Sequence, residues 1–286
     1  MGTRNSGIMI SGKGQVVADQ LAVGPNAKAT KFVADTARDP PYPQAGSSEA
    51  PIGALTTGLR DAEQIERRLL LFVHGLGGDA RATWGKLPGL LVEGAAFQEP
   101  PTIGYYTFPT SLFRLPFMAK APKIQELAAG LRSQIENRYA DFNKVDLICH
   151  SLGGLIARRY LIEEVKASRS LRVKHLALLA TPNNGAGLAI LANLVSWRHN
   201  QISQLCRNAD IIELLNEDWV RFELQKKVAT KFIIGTQDRV VDRFSASAYS
   251  GNSDVETVVG RDHIDLVKPV NSDDDVLIIL KRFMQL

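Results

Sequence analysis

Two stretches of different hydrophobic patterning make up the chain. Up to residue 66, apolar positions are scattered among Gly, Pro, Ser, Ala and Thr, with Asp39-Pro40-Pro41-Tyr42-Pro43 and Gly46-Ser47-Ser48 as structure breakers. Residues 1–66 therefore read as an N-terminal appendage and linker. Within them, residues 15–33 carry short apolar stretches around Gly24-Pro25-Asn26, which suit either a hairpin module or a disordered leader. From residue 67 to 286 the pattern becomes one of strands alternating with helices. Leu69-Leu70-Leu71-Phe72-Val73 is an unbroken apolar run, as expected of a strand covered on both faces of a parallel sheet. Residues 145–149, 173–179, 231–234 and 255–259 read as further strands, and 102–108 as a weaker one. Ile124, Leu127, Ala128, Leu131 and Ile135 recur at helical spacing, a second helix is expected over 152–165, and 273–284 reads as a closing helix with acidic residues at its positive end. Such alternation predicts a mostly parallel sheet with helices on both faces, and ligands then bind beyond the carboxyl ends of the strands.

An insertion of about residues 185–229 precedes the strand at 231. Leu188, Ile190, Leu191, Leu194, Val195 and Trp197, then Ile211, Ile212, Leu214, Leu215, Trp219, Val220 and Phe222, give it helical apolar stripes. One reading is an amphipathic cap over a site that takes an acyl chain. The other is a stripe that packs on the core.

The chemistry-bearing residues fall at the predicted strand ends. Cys149-His150-Ser151-Leu152-Gly153-Gly154 lies between a strand and a helix, the setting of a nucleophile elbow, where a sharp turn holds the serine strained and the residues two before and two after must be small. Gly153 meets that need, and Cys149 stands where glycine is usual. The alternative is a tight turn in which Ser151 caps the helix. A serine attacks only with a base to take its proton and with donors ready for the oxyanion. His74-Gly75-Leu76-Gly77-Gly78 directly follows the first strand, and the backbone amides of Leu76 and Leu152 are the expected oxyanion donors. His74 is expected to order its loop by hydrogen bonding. His263, in Gly260-Arg261-Asp262-His263, follows the last strand and is the expected base. His150 sits inside the elbow and should point away from the serine hydroxyl, His175 opens a strand, and His199 lies in the insertion. Asp238, after the penultimate strand, is the expected acid, with Asp242 and Asp262 as rivals. The candidates thus occur in the chain order Ser, Asp, His.

Composition narrows the classes. At 286 residues, with 45% apolar and 22% charged residues, the chain is long enough for a full core and ordinary for a globular protein. The net charge of +4, from 34 basic against 30 acidic residues, is too balanced to argue for nucleic acid and leaves room for peripheral contact with an anionic membrane. Two cysteines, Cys149 and Cys206, make no disulfide framework, no apolar run of about 18 residues occurs, and the start leads into no signal-peptide core, so a cytoplasmic location is expected. The opening Met1-Gly2-Thr3-Arg4-Asn5-Ser6 also fits the N-myristoylation pattern, which acts only in a eukaryotic host. His74, His150, His175, His199 and His263 lack metal-ligand spacing, and acyl transfer needs no cofactor, so neither metal nor cofactor is expected. A protein partner or self-association is expected to work through residues 1–66.

Taken together, these segments resemble the α/β-hydrolase superfamily, in its lipase-like branch with the serine-active-site-containing lipid-remodelling proteins and the GPI inositol deacylases. Phe72 to Gly78 followed by Thr83-Trp84 resembles the family's oxyanion strand and loop. Cys149 to Gly154 with Leu155-Ile156-Ala157-Arg158-Arg159-Tyr160 resembles its elbow and following helix, and Leu179-Ala180-Thr181-Pro182-Asn183-Asn184-Gly185 its next strand end, where Gly-Thr-Pro is commoner. The acid and base segments at 235–241 and 260–263 match as well. The resemblance implies an α/β-hydrolase fold with a helical cap insertion, and hydrolysis or acyl transfer on lipid esters. A thioesterase or peptidase on the same three residues, or a non-catalytic adaptor that kept the fold, are the alternatives.

Overall fold

The computed structural model describes residues 67–93, 100–108, 123–184, 209–241 and 255–285. The expected appendage, residues 185–208 of the insertion, and His199, Cys206 and Asp242 lie outside the described residues. A compact unit spans Asp61–Leu286.

Among the described residues, six parallel strands form one sheet in the order β2-β1-β3-β4-β5-β6. They are β1 (Arg68–Val73), β2 (Thr102–Tyr106), β3 (Lys144–His150), β4 (Val173–Leu179), β5 (Ala229–Gly235) and β6 (Val255–Val258). Chain order reverses direction at β1, since β2 lies to one side of it and β3 to the other. Ligands bind at such a switch point in an open α/β sheet. Among the described residues the α-helices are α1 (Leu87–Val92), α2 (Ile124–Arg138), α3 (Leu152–Lys166), α4 (Ala209–Arg221), α5 (Leu224–Lys227) and α6 (Asp275–Met284).

The central strands carry almost no polar residue because both their faces are covered. Leu69, Leu71, Val73, Leu147 and Cys149 point to the face that α2, α3 and α4 cover, through Leu131, Ile135, Leu155, Ile212 and Trp219. Leu70, Phe72, Ile148 and Ala177 point to the other, against Trp84, Leu87, Leu277 and Leu280 of the α1 and α6 side. Each fully buried side chain of this size contributes about 1.5–3 kcal/mol, so the alternating assignment of a strand to two cores resists a register slip. The exception is Asp146, fully buried mid-strand, which accepts from Arg68 and lies 2.8 Å from His175 Nδ1.

Strand and helix positions follow the apolar pattern closely, with three departures. The weak strand ends at Tyr106, because Phe108 leaves the sheet to stack on His74 at 4.3 Å. The closing helix starts at Asp275, since Asp274 is its cap and accepts from the Val276 N–H at 3.1 Å. Helix α1 is not among the expected elements; it carries Pro88 in its first turn, where a missing N–H costs nothing. In the insertion, Ile212, Leu215 and Trp219 of α4 are buried in the core beside α3, while Leu214 and Val220 face outward. The α4 stripe is therefore core packing.

Candidate active site

Strand β3 ends at His150 and α3 begins at Leu152, so Ser151 alone makes the turn. Its backbone takes φ 52° and ψ −123°, a conformation that L residues avoid and that surrounding contacts must impose. The Ser151 N–H is held by the Leu179 carbonyl at 3.0 Å, and the Gly154 N–H returns to the Ser151 carbonyl at 3.0 Å. The small residues expected on either side are explained by contact. A Cβ on Gly153 would stand 2.3 Å from the Val73 carbonyl oxygen, so α3 sits directly on the end of β1. Cys149, two residues before the serine, is fully buried in the core and fits there as a small hydrophobe. Ala180 lies at φ 49°, in the left-handed region that glycine enters most easily.

Three strand ends converge on this turn. Asp238 follows β5, and its Oδ1 accepts from the N–H groups of Val240 at 2.7 Å and Val241 at 3.1 Å. Those two bonds leave Oδ2 free to face His263, whose Nδ1 lies 2.9 Å away. The other ring nitrogen, Nε2, lies 3.1 Å from Ser151 Oγ. A carboxylate only accepts, so Nδ1 carries the proton and Nε2 presents its lone pair to the serine hydroxyl. Asp262 stands apart from this chain of groups. Its Oδ1 accepts from Ile264 and Asp265 N–H at 2.8 and 2.9 Å, which caps the turn after the histidine and holds its carboxyl below the ordinary range.

The histidine loop is fixed at several points. The Gln237 N–H donates to the Arg261 carbonyl at 2.9 Å, and Gly235 approaches that carbonyl so closely that a Cβ would lie 2.1 Å from it. Arg261 also pairs with Asp274, the cap of α6.

The glycine loop after β1 reaches the same place. A Cβ on Gly75 would fall 2.8 Å from the Ser151 Cβ, so Leu76 follows a residue in contact with the serine. Leu152 is the first residue of α3, and its N–H belongs to the helix end whose donors have no intrahelical partner. His74 is buried, and its Nδ1 donates to the Gly75 carbonyl at 2.9 Å, an ordering contact of the expected kind. Burial holds its pKa below the usual histidine value. His175 is on the α6 face beside Asp146, away from the serine.

Two further side chains make contacts that residue type did not announce. Arg158 of α3 is buried and donates to Asn183 Oδ1 and Asn216 Oδ1, each at 2.8 Å, while Asn216 donates to the Asn183 carbonyl at 2.9 Å. This joins the loop after β4 to α4. The second is His150, expected to point away from the serine hydroxyl, whose Nε2 lies 2.8 Å from the main-chain carbonyl of His263. Among the described residues no group of His, Cys, Asp and Glu has the arrangement to hold a metal ion, and no helix is long and apolar enough to cross a membrane.

A family model described as a domain of unknown function, DUF7379, matches residues 48–221. The chain belongs to this family. The matched span holds the glycine loop and the serine turn and ends before Asp238 and His263. No curated protein sequence matches the chain. Among solved structures, the chain is similar to the phospholipase PlaB from Legionella pneumophila, with a TM-score of 0.58 and 16% identity over 77% of this chain and 60% of that one. It is similar to carboxyl esterase 2 from the mycorrhizal fungus Tuber melanosporum, with a TM-score of 0.54 and 11% identity over 77% of each chain. The enol-lactonase from Burkholderia xenovorans gives a TM-score of 0.51 and 15% identity, over 77% of this chain and 92% of that one. These neighbours are α/β-hydrolases, and the chain has that fold. It spans 60% of the length of the phospholipase.

Proposed function

We propose that this protein is a serine hydrolase of carboxylic esters. The observation that carries the proposal is the continuous path from Asp238 Oδ2 through the His263 ring to Ser151 Oγ, with steps of 2.9 and 3.1 Å. In this reading His263 takes the Ser151 proton as Oγ attacks the acyl carbon, and the tetrahedral oxyanion is received by the Leu76 and Leu152 N–H groups. The imidazolium then protonates the leaving alcohol, leaving an acyl-enzyme on Ser151. Water activated by the same ring releases the acid. Asp238 holds the imidazole in the Nδ1–H tautomer and offsets its charge. Every proton moves between this chain's own residues, the substrate and water.

The substrate class we propose is a lipid ester, in hydrolysis or acyl transfer. It is supported by the likeness of the motif segments to lipid-remodelling hydrolases and by a solved neighbour named as a phospholipase.

Incubating wild type and Ser151→Ala with short-chain and long-chain nitrophenyl esters tests both levels. Turnover by the wild type that disappears in Ser151→Ala, together with fluorophosphonate labelling of Ser151, is expected. Faster turnover of the long chain is expected if lipid is the substrate. A folded wild type that neither labels nor turns over any ester, thioester or aminoacyl amide would overturn the enzyme reading.

A further inference from the structure

His150 is adjacent to Ser151 in sequence, yet its hydrogen bond goes elsewhere. We propose that His150 is a positioning residue that ties the serine turn to the main chain of His263 and so holds the base in register with the nucleophile. This inference rests on the roles proposed above for Ser151 and His263.

The geometry comes from several sides of the ring. β3 fixes the His150 backbone through its pairing with Leu179 of β4. The side chain, 5% exposed, places Nε2 2.8 Å from the His263 carbonyl, and because a carbonyl only accepts, Nε2 carries the proton. The two imidazole rings lie 5.0 Å apart, and the Trp84 ring meets His150 edge-on at 6.3 Å. On the glycine-loop side, a Cβ on Gly75 would stand 3.2 Å from His150 Nδ1. One ring therefore touches the serine turn, the glycine loop and the histidine loop.

This contact supplies what Asp238 cannot. The Asp238 carboxylate restrains the base at Nδ1 alone, and a ring held by one hydrogen bond still pivots about it. The bond to the His263 carbonyl restrains the same residue at its backbone. On a loop already held through Arg261 and Asp262, these two anchors, one at the ring and one at the main chain, act on His263 itself and set where Nε2 meets Ser151 Oγ. Reaction rates depend steeply on such placement, about 100-fold for a displacement of 1 Å.

The donor also has to survive turnover, when His263 becomes an imidazolium. His150 is pushed down to about 3, first by burial and then by the adjacent His263 ring, with Asp238 and His74 the other titratable groups facing it. It stays neutral while His263 cycles, so it neither repels the imidazolium nor loses its Nε2–H.

Two substitutions separate the donor from the bulk: His150→Gln keeps an N–H at similar reach, and His150→Phe keeps a ring without one. Folded proteins labelled with ¹⁵N-histidine are compared by NMR for the His263 Nδ1–H resonance, and by the rate of fluorophosphonate labelling of Ser151. We expect a sharp downfield resonance in the wild type and in His150→Gln, and a broadened or missing one in His150→Phe. The labelling rate should fall about tenfold or more in His150→Phe and recover in His150→Gln. In ester turnover the loss should lie in kcat, with KM little changed. If His150→Phe does not fold, His150→Met serves as the donor-free variant. A donor-free variant that keeps both the resonance and the labelling rate overturns the proposal, as does His150→Gln behaving no better than the donor-free variant. If even the wild type resists fluorophosphonate, the hydrolase reading fails, while the resonance still decides whether His150 positions His263.

Discussion

Gly75 and Ser151 touch: a Cβ on the glycine would lie 2.8 Å from the Cβ of the serine and 3.1 Å from the His150 carbonyl oxygen. The glycine loop is thus seated against the nucleophile at a distance that only a missing side chain permits. Gly75→Ala must push the loop away from the serine turn, carrying the Leu76 amide with it. We expect kcat for a short-chain ester to fall about 100-fold, the effect of misplacing a reacting partner by roughly 1 Å. The thermal midpoint should move far less than it does for Gly153→Ala, which drives a Cβ into the Val73 carbonyl at 2.3 Å inside the core. Melting curves and steady-state kinetics on the two variants check both halves, and unchanged kcat in Gly75→Ala would argue against the oxyanion role of this loop.

Asp238→Asn isolates the acid. The Asn Oδ1 can still accept from Val240 and Val241, so the turn after β5 is kept. The amide would, however, present N–H to His263 Nδ1 and favour the tautomer whose proton sits on Nε2, facing Ser151. With the base lone pair turned away from the hydroxyl, kcat should drop by about 10⁴ while stability stays within about 1 kcal/mol. An activity loss below tenfold would point to another carboxylate as the partner.

Much of this site was readable in the residues because each strand end announces itself. Leu69 to Val73 and Val145 to Cys149 are apolar throughout, the turn after each is rich in small residues, and Asp238 and His263 come directly after later strands. Less visible was whatever depends on a main-chain partner or on distant loops. His150 bonds to a carbonyl 113 positions away, and a carbonyl leaves no trace in residue type. Arg158 is placed by residue type alone on no particular side of its helix; its buried partners Asn183 and Asn216 lie 25 and 58 positions further on. Helix α4 could be read as cap or core because periodicity marks an apolar face without saying what covers it.

Arg158 predicts a local consequence. Its guanidinium sits 5.1 Å over the Trp219 ring and bonds the two asparagine side chains, so it ties α3 to α4 and to the loop after β4. Arg158→Ala removes two hydrogen bonds to a charged group, worth about 1.5–3 kcal/mol each. We expect a loss of roughly 3 kcal/mol or more in urea unfolding. Hydrogen exchange should show the loss of protection concentrated in Ala209–Arg221. Uniform exchange across the sheet would mean that Arg158 stabilises the domain without holding α4 in particular.

The buried neutral His150 makes folding sensitive to acid in a direction that can be worked out. Its folded pKa, pushed to about 3, lies below the unfolded value of 6.5, so between these limits the unfolded chain binds a proton that the native protein does not. Stability from this group is complete above about pH 6.5 and is lost as pH falls, at up to about 1.4 kcal/mol per pH unit. His74, also lowered by burial, acts in the same sense. Carboxylates contribute to the same acid limb, so the measurement is a difference. Urea unfolding of wild type and His150→Gln is compared from pH 7.5 to pH 4.5. The amide does not titrate, and the variant, whatever its stability at neutral pH, should lose less than the wild type on acidification. Parallel curves across that range would show that the wild-type imidazole binds its proton in the folded protein much as it does in the unfolded chain, and that it is not held neutral beneath His263.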